Sequence, residues 1–485
     1  VDVTAVADYA RSLPNVVYVD NNLFTCSADT QDLIANKIRE HDLNRVVVAA
    51  CTPRTHEPLF QDTLREAGLN PYLVEMANIR NHNSWVHQKM PEKATAKAKD
   101  QLRMAVAKVS LGTPLERLSV DVTQKALVIG GGLAGMQAAL SLADQDFPTV
   151  LLEKSDSLGG NARQLESTDF GEPIQPMLAA MIARVEAHPG IQVLKNARLK
   201  TAVGSVGHFV SQIEVGGETR AVTYGAAVIA TGARETVPEE YLFGQDDRIM
   251  THQGFDRHLA GHLADLQRAQ NVVFIQCVGS REPHRPYCSR ICCTHTVKNA
   301  IKLKKLNPGM RVFVLYRDMR TFGARELLYR QARELGVVFV RFSLAEKPRV
   351  ALRDGELRVQ VTDPVLGRPL ALSADYLVLA AAIAPTVSQE LVELYKCAVN
   401  EDGFLNEAHP KLRPVDMSVD GLFVAGLCNY PKPVDEAIAQ ATAAAARAGI
   451  ILSQKEMQLD AIKLKKLNPG MRVFVLYRDM RTFGA

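Results

Sequence analysis

The sequence predicts an α/β protein with two βαβ units of the dinucleotide-binding kind and a smaller N-terminal α/β domain ahead of them. Three observations carry the prediction. The apolar run Ala126–Ile129 stops at a glycine-rich turn and passes directly into helix-forming residues from Met136 to Ala143. A second apolar run, Asn271–Gln276, opens a later unit, with further strands expected at Met310–Tyr316 and Val337–Phe342. Ahead of both, residues 1–90 alternate short helical and strand-like patterns. Strand, turn and helix in close succession are what a parallel sheet with covering helices requires.

The first turn reads Gly130-Gly131-Gly132-Leu133-Ala134-Gly135. Gly130 permits the tight turn, Gly132 lets the backbone approach a pyrophosphate, and Gly135 lets the helix pack closely on the strand. The start of that helix offers unpaired N–H groups to an anion. A second strand, Thr149–Leu152, ends on Glu153, about 20 residues beyond the first glycine, where a carboxylate can accept hydrogen bonds from ribose hydroxyls. Lys154 follows, then Gly159-Gly160-Asn161. A lone GxGxxG is a weak signal whose ordinary reading is a glycine turn; here strand, helix and acid stand where the motif needs them. The Glu153 to Gly159-Gly160 spacing resembles the two-dinucleotide-binding-domain flavoproteins, as do Ala230-Thr231-Gly232 after the strand Ala226–Ile229 and Gly421–Gly426 late in the chain. That resemblance implies FAD, with the chain returning to the flavin at Gly426. An Asp normally follows that glycine; this chain has Leu427.

A chain of 485 residues is long enough for two to four domains. Its longest apolar runs, such as Tyr376–Ala384, fall short of the ~20 residues that span a bilayer. No secretory signal is visible at Val1-Asp2-Val3, which points to the cytoplasm. Residues 461–485 repeat residues 300–324 letter for letter. The copy adds Lys463, Lys465, Lys466, Arg472, Arg478 and Arg481 against Asp479, so the formal charge of +4 becomes −1 over the first 460 residues. Nothing in that balance calls for a nucleic-acid partner. Half a supersecondary unit cannot bury its own face and one perfect copy is no solenoid, so the tail is expected to be an artefact outside the fold.

Within residues 1–90, helices are expected at Val3–Leu13, Asp29–Glu40 and His56–Ala67, and strands at Val16–Val19, Arg45–Ala50 and Tyr72–Val74, the middle one buried. Cys26 begins the loop before a helix and Cys51 ends the strand VVVAA; two lone cysteines are as often buried small hydrophobes as ligands. Residues 91–125 read as a helical linker, with Lys and Ala alternating from Met90 to Ser110 to give one charged face. Residues 126–267 and 387–460 form the expected FAD domain, and 268–386 a second Rossmann-like domain.

In that second domain the loop after the first strand should again carry a phosphate-binding glycine motif. It reads Gln276-Cys277-Val278-Gly279-Ser280-Arg281, followed by Tyr287-Cys288-Ser289-Arg290-Ile291-Cys292-Cys293. Four of the eight cysteines fall within 17 residues. Permanent disulfides do not suit a chain without an export signal. Zinc usually takes two separated CxxC-type pairs, which CxxxCC fits poorly. Four thiolates beside a flavin suit an iron–sulfur cluster.

At this point the chain resembles the A-type, HdrA-like iron–sulfur flavoprotein of heterodisulfide reductase and its relatives in anaerobic archaea and bacteria. Carrying the resemblance are Cys26-Ser27, RVVVAACTPRTHE at Arg45–Glu57, GLNPYLVEMANIR at Gly68–Arg80, SWVH at Ser84–His87, LVIGGGLAGM, and QCVGSR with YCSRICC. The resemblance implies a thioredoxin-reductase-like core with FAD and a [4Fe–4S] cluster on Cys277, Cys288, Cys292 and Cys293. It implies that Cys26 and Cys51 help ligate a second cluster, whose other thiolates in the family come from a CxC upstream of the present Val1. It also implies an oxidoreductase component that splits electron pairs at flavin, passes single electrons to clusters, and works in a complex with B- and C-type and electron-donor subunits, in roles that include flavin-based bifurcation. No ferredoxin-type CxxCxxCxxxCP run occurs in this chain. Lys298, five residues past Cys293, is a candidate catalytic cation facing the isoalloxazine, or else a surface lysine.

Two rivals stand beside this reading. An NAD(P)H-dependent disulfide reductase would need a second phosphate loop and a CxxC dithiol, and the sequence has neither. A scaffold whose flavin and cysteines are structural is the other.

Overall fold

A computed structural model describes residues 1–115 and 117–460; the copy at 461–485 lies outside the described residues. Val1–Ser119 belong to one compact unit and Val120–Met457 to a second.

In the first unit, helices Val3–Arg11, Ala28–Glu40, Pro53–Glu66 and Pro91–Ser110 accompany two parallel strands, Val46–Ala50 beside Val74–Asn78. One side of the sheet packs Ile38, Val48, Phe60 and Leu64, the other Val6, Ala77, Ala98 and Leu102. Three expectations need correcting. Val16–Val19 forms no strand: Asn15 turns the chain at φ +64° and Val17 is 73% exposed, so the apolar run has no ladder to join. The strand placed at Tyr72–Val74 begins only at Val74, because Asn70 makes a turn whose side chain accepts from the Tyr72 amide. The strand Val46–Ala50 buries Val48 fully and its other residues only partly. The helix Pro91–Ser110 buries Ala94, Ala98, Leu102, Ala105 and Val109 and packs on the strand Val74–Asn78. Its small apolar residues let it lie close, so it is part of the first unit and presents its charged residues outward, with Met104 also exposed.

The second unit contains one architecture twice. The first sheet runs Leu422–Val424, Ala226–Ile229, Ala126–Ile129, Thr149–Leu152, Ile191–Leu194, all parallel. The second runs Ile249–Thr251, Tyr376–Ala381, Asn271–Val278, Arg311–Tyr316, Val338–Arg341, again all parallel. Each is accompanied by a three-stranded antiparallel meander, over 197–224 and over 349–374. The central strands are buried along their whole length, as strands covered on both faces must be. The chain crosses between the two folds in an antiparallel ribbon, Ala233–Glu235 with Ile383–Pro385. The second fold therefore already holds Ile249–Thr251, upstream of the boundary expected near Arg268. A three-residue edge strand carries too little pattern to be read from sequence.

Candidate functional site

The glycine turn leads from the strand Ala126–Ile129 into the helix Leu133–Ala143, which is nearly all buried. Gly130 sits at φ +113°, and a Cβ there would lie 2.3 Å from the Ala230 carbonyl oxygen. A Cβ on Gly135 would lie 1.7 Å from the Gly130 carbonyl oxygen, so only glycine lets the helix approach its strand. At Gly132 the opposite holds: a Cβ would meet nothing within 4 Å. That open space faces the amino end of the helix, where unpaired amides favour a phosphate.

Glu153 is buried and braces this turn: its Oε2 accepts from the Gly131 amide at 2.7 Å and its Oε1 from Ser155 N and Oγ. Oε2 keeps a further lone pair for a ribose hydroxyl. The Gly159 amide bonds the Gly131 carbonyl at 2.8 Å, which zips the second glycine pair onto the first turn. Asn161 Nδ2 donates to the Ala233 carbonyl at 2.7 Å, just past Thr231-Gly232, whose carbonyls both accept from Thr386 Oγ1. Gly426 arrives at φ +77°, and a Cβ on it would come 2.8 Å from that of Ala134. Lys154 is exposed. A dinucleotide fits this arrangement, since every close approach is made by a residue without a side chain and open space is left above Gly132.

Leu427, standing where an Asp is usual, has a packing partner. It lies against an apolar cluster of Ala233, Ile383 and Phe404, which also takes in Tyr287 and Ile291 from the cysteine segment. Ser289 Oγ accepts from the Ile383 amide at 2.9 Å, and Tyr287 donates its hydroxyl to the Ile383 carbonyl at 2.7 Å. Arg290 reaches the other way, to Glu436 at 3.4 Å and onto the Tyr430 ring. The cysteine segment is thus seated on both the crossing ribbon and the returning flavin motif.

Cys277, Cys292 and Cys293 are buried and Cys288 partly so, and none is in a disulfide. Burial pushes Cys293 up to about 12 and Cys292 well above the usual thiol range, and in both the charges of the neighbouring cysteines push the same way. Such a set of thiols is costly to ionise together unless a cation is among them. Among the described residues, no group of three or more His, Cys, Asp or Glu side chains stands ready at metal-holding geometry. In the first unit, exposed Cys26 and buried Cys51 line one cleft of about 1000 Å³, and Cys51 Sγ lies 3.1 Å from His56 Nδ1.

Lys298 is neither a surface lysine nor free. Its Nζ bonds the Ser167 carbonyl at 2.9 Å, Ser167 Oγ at 3.1 Å and Asp256 Oδ2 at 3.3 Å, all buried. The buried ammonium on the returning flavin motif is instead Lys432, 2% exposed, which donates to the Gly426 carbonyl, to Gln440 Oε1 and to Asn429 Oδ1. A lone lysine in a loop gives no sequence signal, so sequence reasoning does not find it. Burial pushes Lys432 down to about 7. The unfolded lysine binds its proton up to about 10.4, so between these values the unfolded state holds more protons and stability rises with pH. In denaturant melts of the flavin-free protein, Lys432→Met should therefore gain less stability than the wild type between pH 7 and about pH 8, below the range in which unfolded cysteines ionise.

Two dinucleotide-binding folds, with a glycine cradle in the first and a returning motif over it, define a flavoprotein oxidoreductase. The profile of the pyridine nucleotide-disulphide oxidoreductase family matches residues 124–275. The second A-type iron-sulfur subunit of the CoB–CoM heterodisulfide reductase of Methanopyrus kandleri is 36% identical over 95% of this chain and 85% of its own length. The A-type subunit of the H(2):CoB-CoM heterodisulfide,ferredoxin reductase of Methanothermobacter marburgensis is 36% identical over 95% and 84%. The chain belongs to the family of heterodisulfide reductase A-type subunits. Thioredoxin reductase of Lactococcus lactis in its FR conformation aligns at 16% identity with a TM-score of 0.48, covering 68% of this chain and 99% of that one. Among the described residues, no helix is long and apolar enough to cross a membrane.

Proposed function

We propose that the chain is the FAD- and [4Fe–4S]-carrying electron-transfer subunit of a heterodisulfide reductase-like complex, working with B- and C-type subunits and an electron donor in anaerobic metabolism. The observation that carries the reading is the apolar cluster of Ala233, Ile383 and Phe404, against which Leu427 of the returning motif and Tyr287 and Ile291 of the cysteine segment all pack. A position usually reserved for the flavin's sugar chain joins the two sites in this chain. When bound, FAD would exchange electrons in pairs and a cluster would pass them singly.

The chain's own residues bind, orient and insulate. Gly130 to Gly135, Glu153, Gly159, Gly160 and Asn161 hold the dinucleotide, with Ala230-Thr231-Gly232 and Gly426 closing over it. Cys277, Cys288, Cys292 and Cys293 supply four soft donors, two of them at the amino end of the helix Cys292–Leu306, whose unpaired amides favour thiolate charge. The Lys298 ammonium is engaged by Ser167 and Asp256, and Lys432 Nζ braces the returning motif through the Gly426 carbonyl. Bifurcation belongs to the complex rather than to this chain. Cys26 and Cys51 are the chain's share of a second cluster.

Anaerobically purified protein should contain close to four irons for the second-domain site and give a reduced iron–sulfur EPR signal. That signal should disappear in Cys277→Ala and Cys292→Ala while bound flavin stays. Stoichiometric zinc, no metal, or unaided turnover of NADPH would overturn the reading.

A further inference from the structure

The two folds of the second unit are joined by a narrow piece of backbone: Ala233–Glu235 carries the chain out and Ile383–Pro385 brings it back, 3 residues in each strand. Such a ribbon is a hinge, and folds joined by one are expected to move against each other unless other contacts hold them. Charged side chains supply those contacts here. Residues 165–173 follow the second glycine pair of the first fold and turn back on themselves, the Thr168 amide donating to the Glu172 carbonyl at 2.8 Å. Gln175 Nε2 ties the base of this loop to the Ala162 and Leu165 carbonyls at 3.0 and 2.6 Å. Side chains of the second fold then meet it. Asp256 Oδ2 accepts from the Glu166 amide at 3.1 Å, Lys298 Nζ donates to the Ser167 carbonyl at 2.9 Å, and Lys302 Nζ pairs with Glu166 Oε1 at 2.7 Å. Arg325 donates from Nε to Asp169 Oδ2 at 2.6 Å and from Nη2 to Asp435 Oδ1 at 2.6 Å, with its guanidinium 5.6 Å from the centre of the Phe170 ring.

Arg325 differs from Lys298 and Lys302 in engaging two segments of the first fold at once. Asp169 lies in the loop, and Asp435 lies in the first turn of the helix Val434–Leu452 that follows the returning flavin motif. The side chains of Arg325 and Asp169 are 16% and 17% exposed, so their attraction is only weakly screened. A planar fork held by two carboxylates also resists turning. Arg325 is itself fixed at the end of the 3-10 turn Gly323–Arg325, beside which the Thr321 hydroxyl donates to Glu326 Oε2 at 2.7 Å. We propose that Arg325 is a latch: by bridging Asp169 and Asp435 it holds the second fold at one angle to the first, and the crossing ribbon is the hinge it keeps closed. The cysteine segment then stays seated on the returning motif, where Arg290 meets Glu436 at 3.4 Å. The latch needs no bound cofactor, so it stands apart from the electron-transfer reading.

The test is residue-resolved hydrogen exchange on the full chain. Its reporter is the Glu166 amide, which bonds Asp256 rather than Arg325. In Arg325→Met that amide should exchange about tenfold faster, because charge-assisted hydrogen bonds that oppose a local opening are gone. The central strands Ala126–Ile129 and Asn271–Val278 should exchange as in the wild type. Asp169→Asn should resemble Arg325→Met, and Arg325→Lys, which can keep one carboxylate, should fall between. Arg330→Met should change nothing, since its pair with Glu334 is exposed on both sides. An unchanged Glu166 amide in Arg325→Met overturns the latch. Faster exchange confined to residues 168–170 and 321–328 would assign Arg325 to local packing and overturn it too, as would an equal rise in the central strands, which would mark a loss of stability in the folds themselves. None of these outcomes touches the cluster reading, which stands on iron content and EPR.

Discussion

Replacing Gly135 with alanine is expected to strip the protein of flavin and to destabilise its first dinucleotide fold by about 3 kcal/mol, the upper end of the cost of overpacking. The added Cβ would lie 1.7 Å from the Gly130 carbonyl oxygen, a backbone atom with no rotamer to escape into. Helix and strand must then separate, moving the amides proposed to face the phosphates. Gly132→Ala is the matching control. Its φ of −75° suits any residue and a Cβ meets nothing within 4 Å, so the apo fold should melt as the wild type does. That methyl would occupy the space above the turn, and flavin absorbance should still be lost. Equal flavin content in Gly132→Ala and wild type would refute the placement of the pyrophosphate there.

Asp256→Ala should cost about 3–5 kcal/mol, the range for breaking a buried pair by removing one partner. Asp256 is 1% exposed. It accepts from His295 Nε2 at 2.9 Å, Asn299 Nδ2 at 2.9 Å, Lys298 Nζ at 3.3 Å and the Glu166 amide at 3.1 Å. Its loss strands an ammonium among atoms that cannot solvate it. Burial alone would push this carboxyl up, but the charges of His295 and Lys298 and the hydrogen bonds from His295 and Asn299 outweigh it and hold the group well below the usual carboxylate range. The unfolded carboxyl takes its proton near pH ~4, so the stabilisation is present above that pH and is lost as the pH falls further. Urea melts from pH 6 downward should show the wild type losing stability below about pH 4 and Asp256→Ala losing less, because it lacks the group that titrates. Parallel losses in both would show that Asp256 carries no such linkage.

Much of the site was legible because it is local. The turn Gly130–Gly135, Glu153, Gly159-Gly160 and the four cysteines each lie within one stretch whose spacing is set by a strand, a turn and a helix, so the pattern can be read without the rest of the fold. Lys432, Asp256 and the latch at Arg325 were not legible. A lysine, an aspartate and an arginine look alike in sequence whether solvated or buried, and what distinguishes these three is which residues from distant parts of the chain surround them.

The same division runs through the whole protein. The sequence by itself determined the two dinucleotide-binding folds, the glycine cradle of the first and the replacement of the second phosphate loop by cysteines, since glycine, apolar and cysteine patterns act over a few residues. Only the tertiary structure decided that Val16–Val19 pairs with nothing, that Lys298 is held by Ser167 and Asp256, and that Leu427 and Ile291 pack on the same apolar cluster. Each of those depends on burial and partners contributed from far along the chain, which no local pattern encodes.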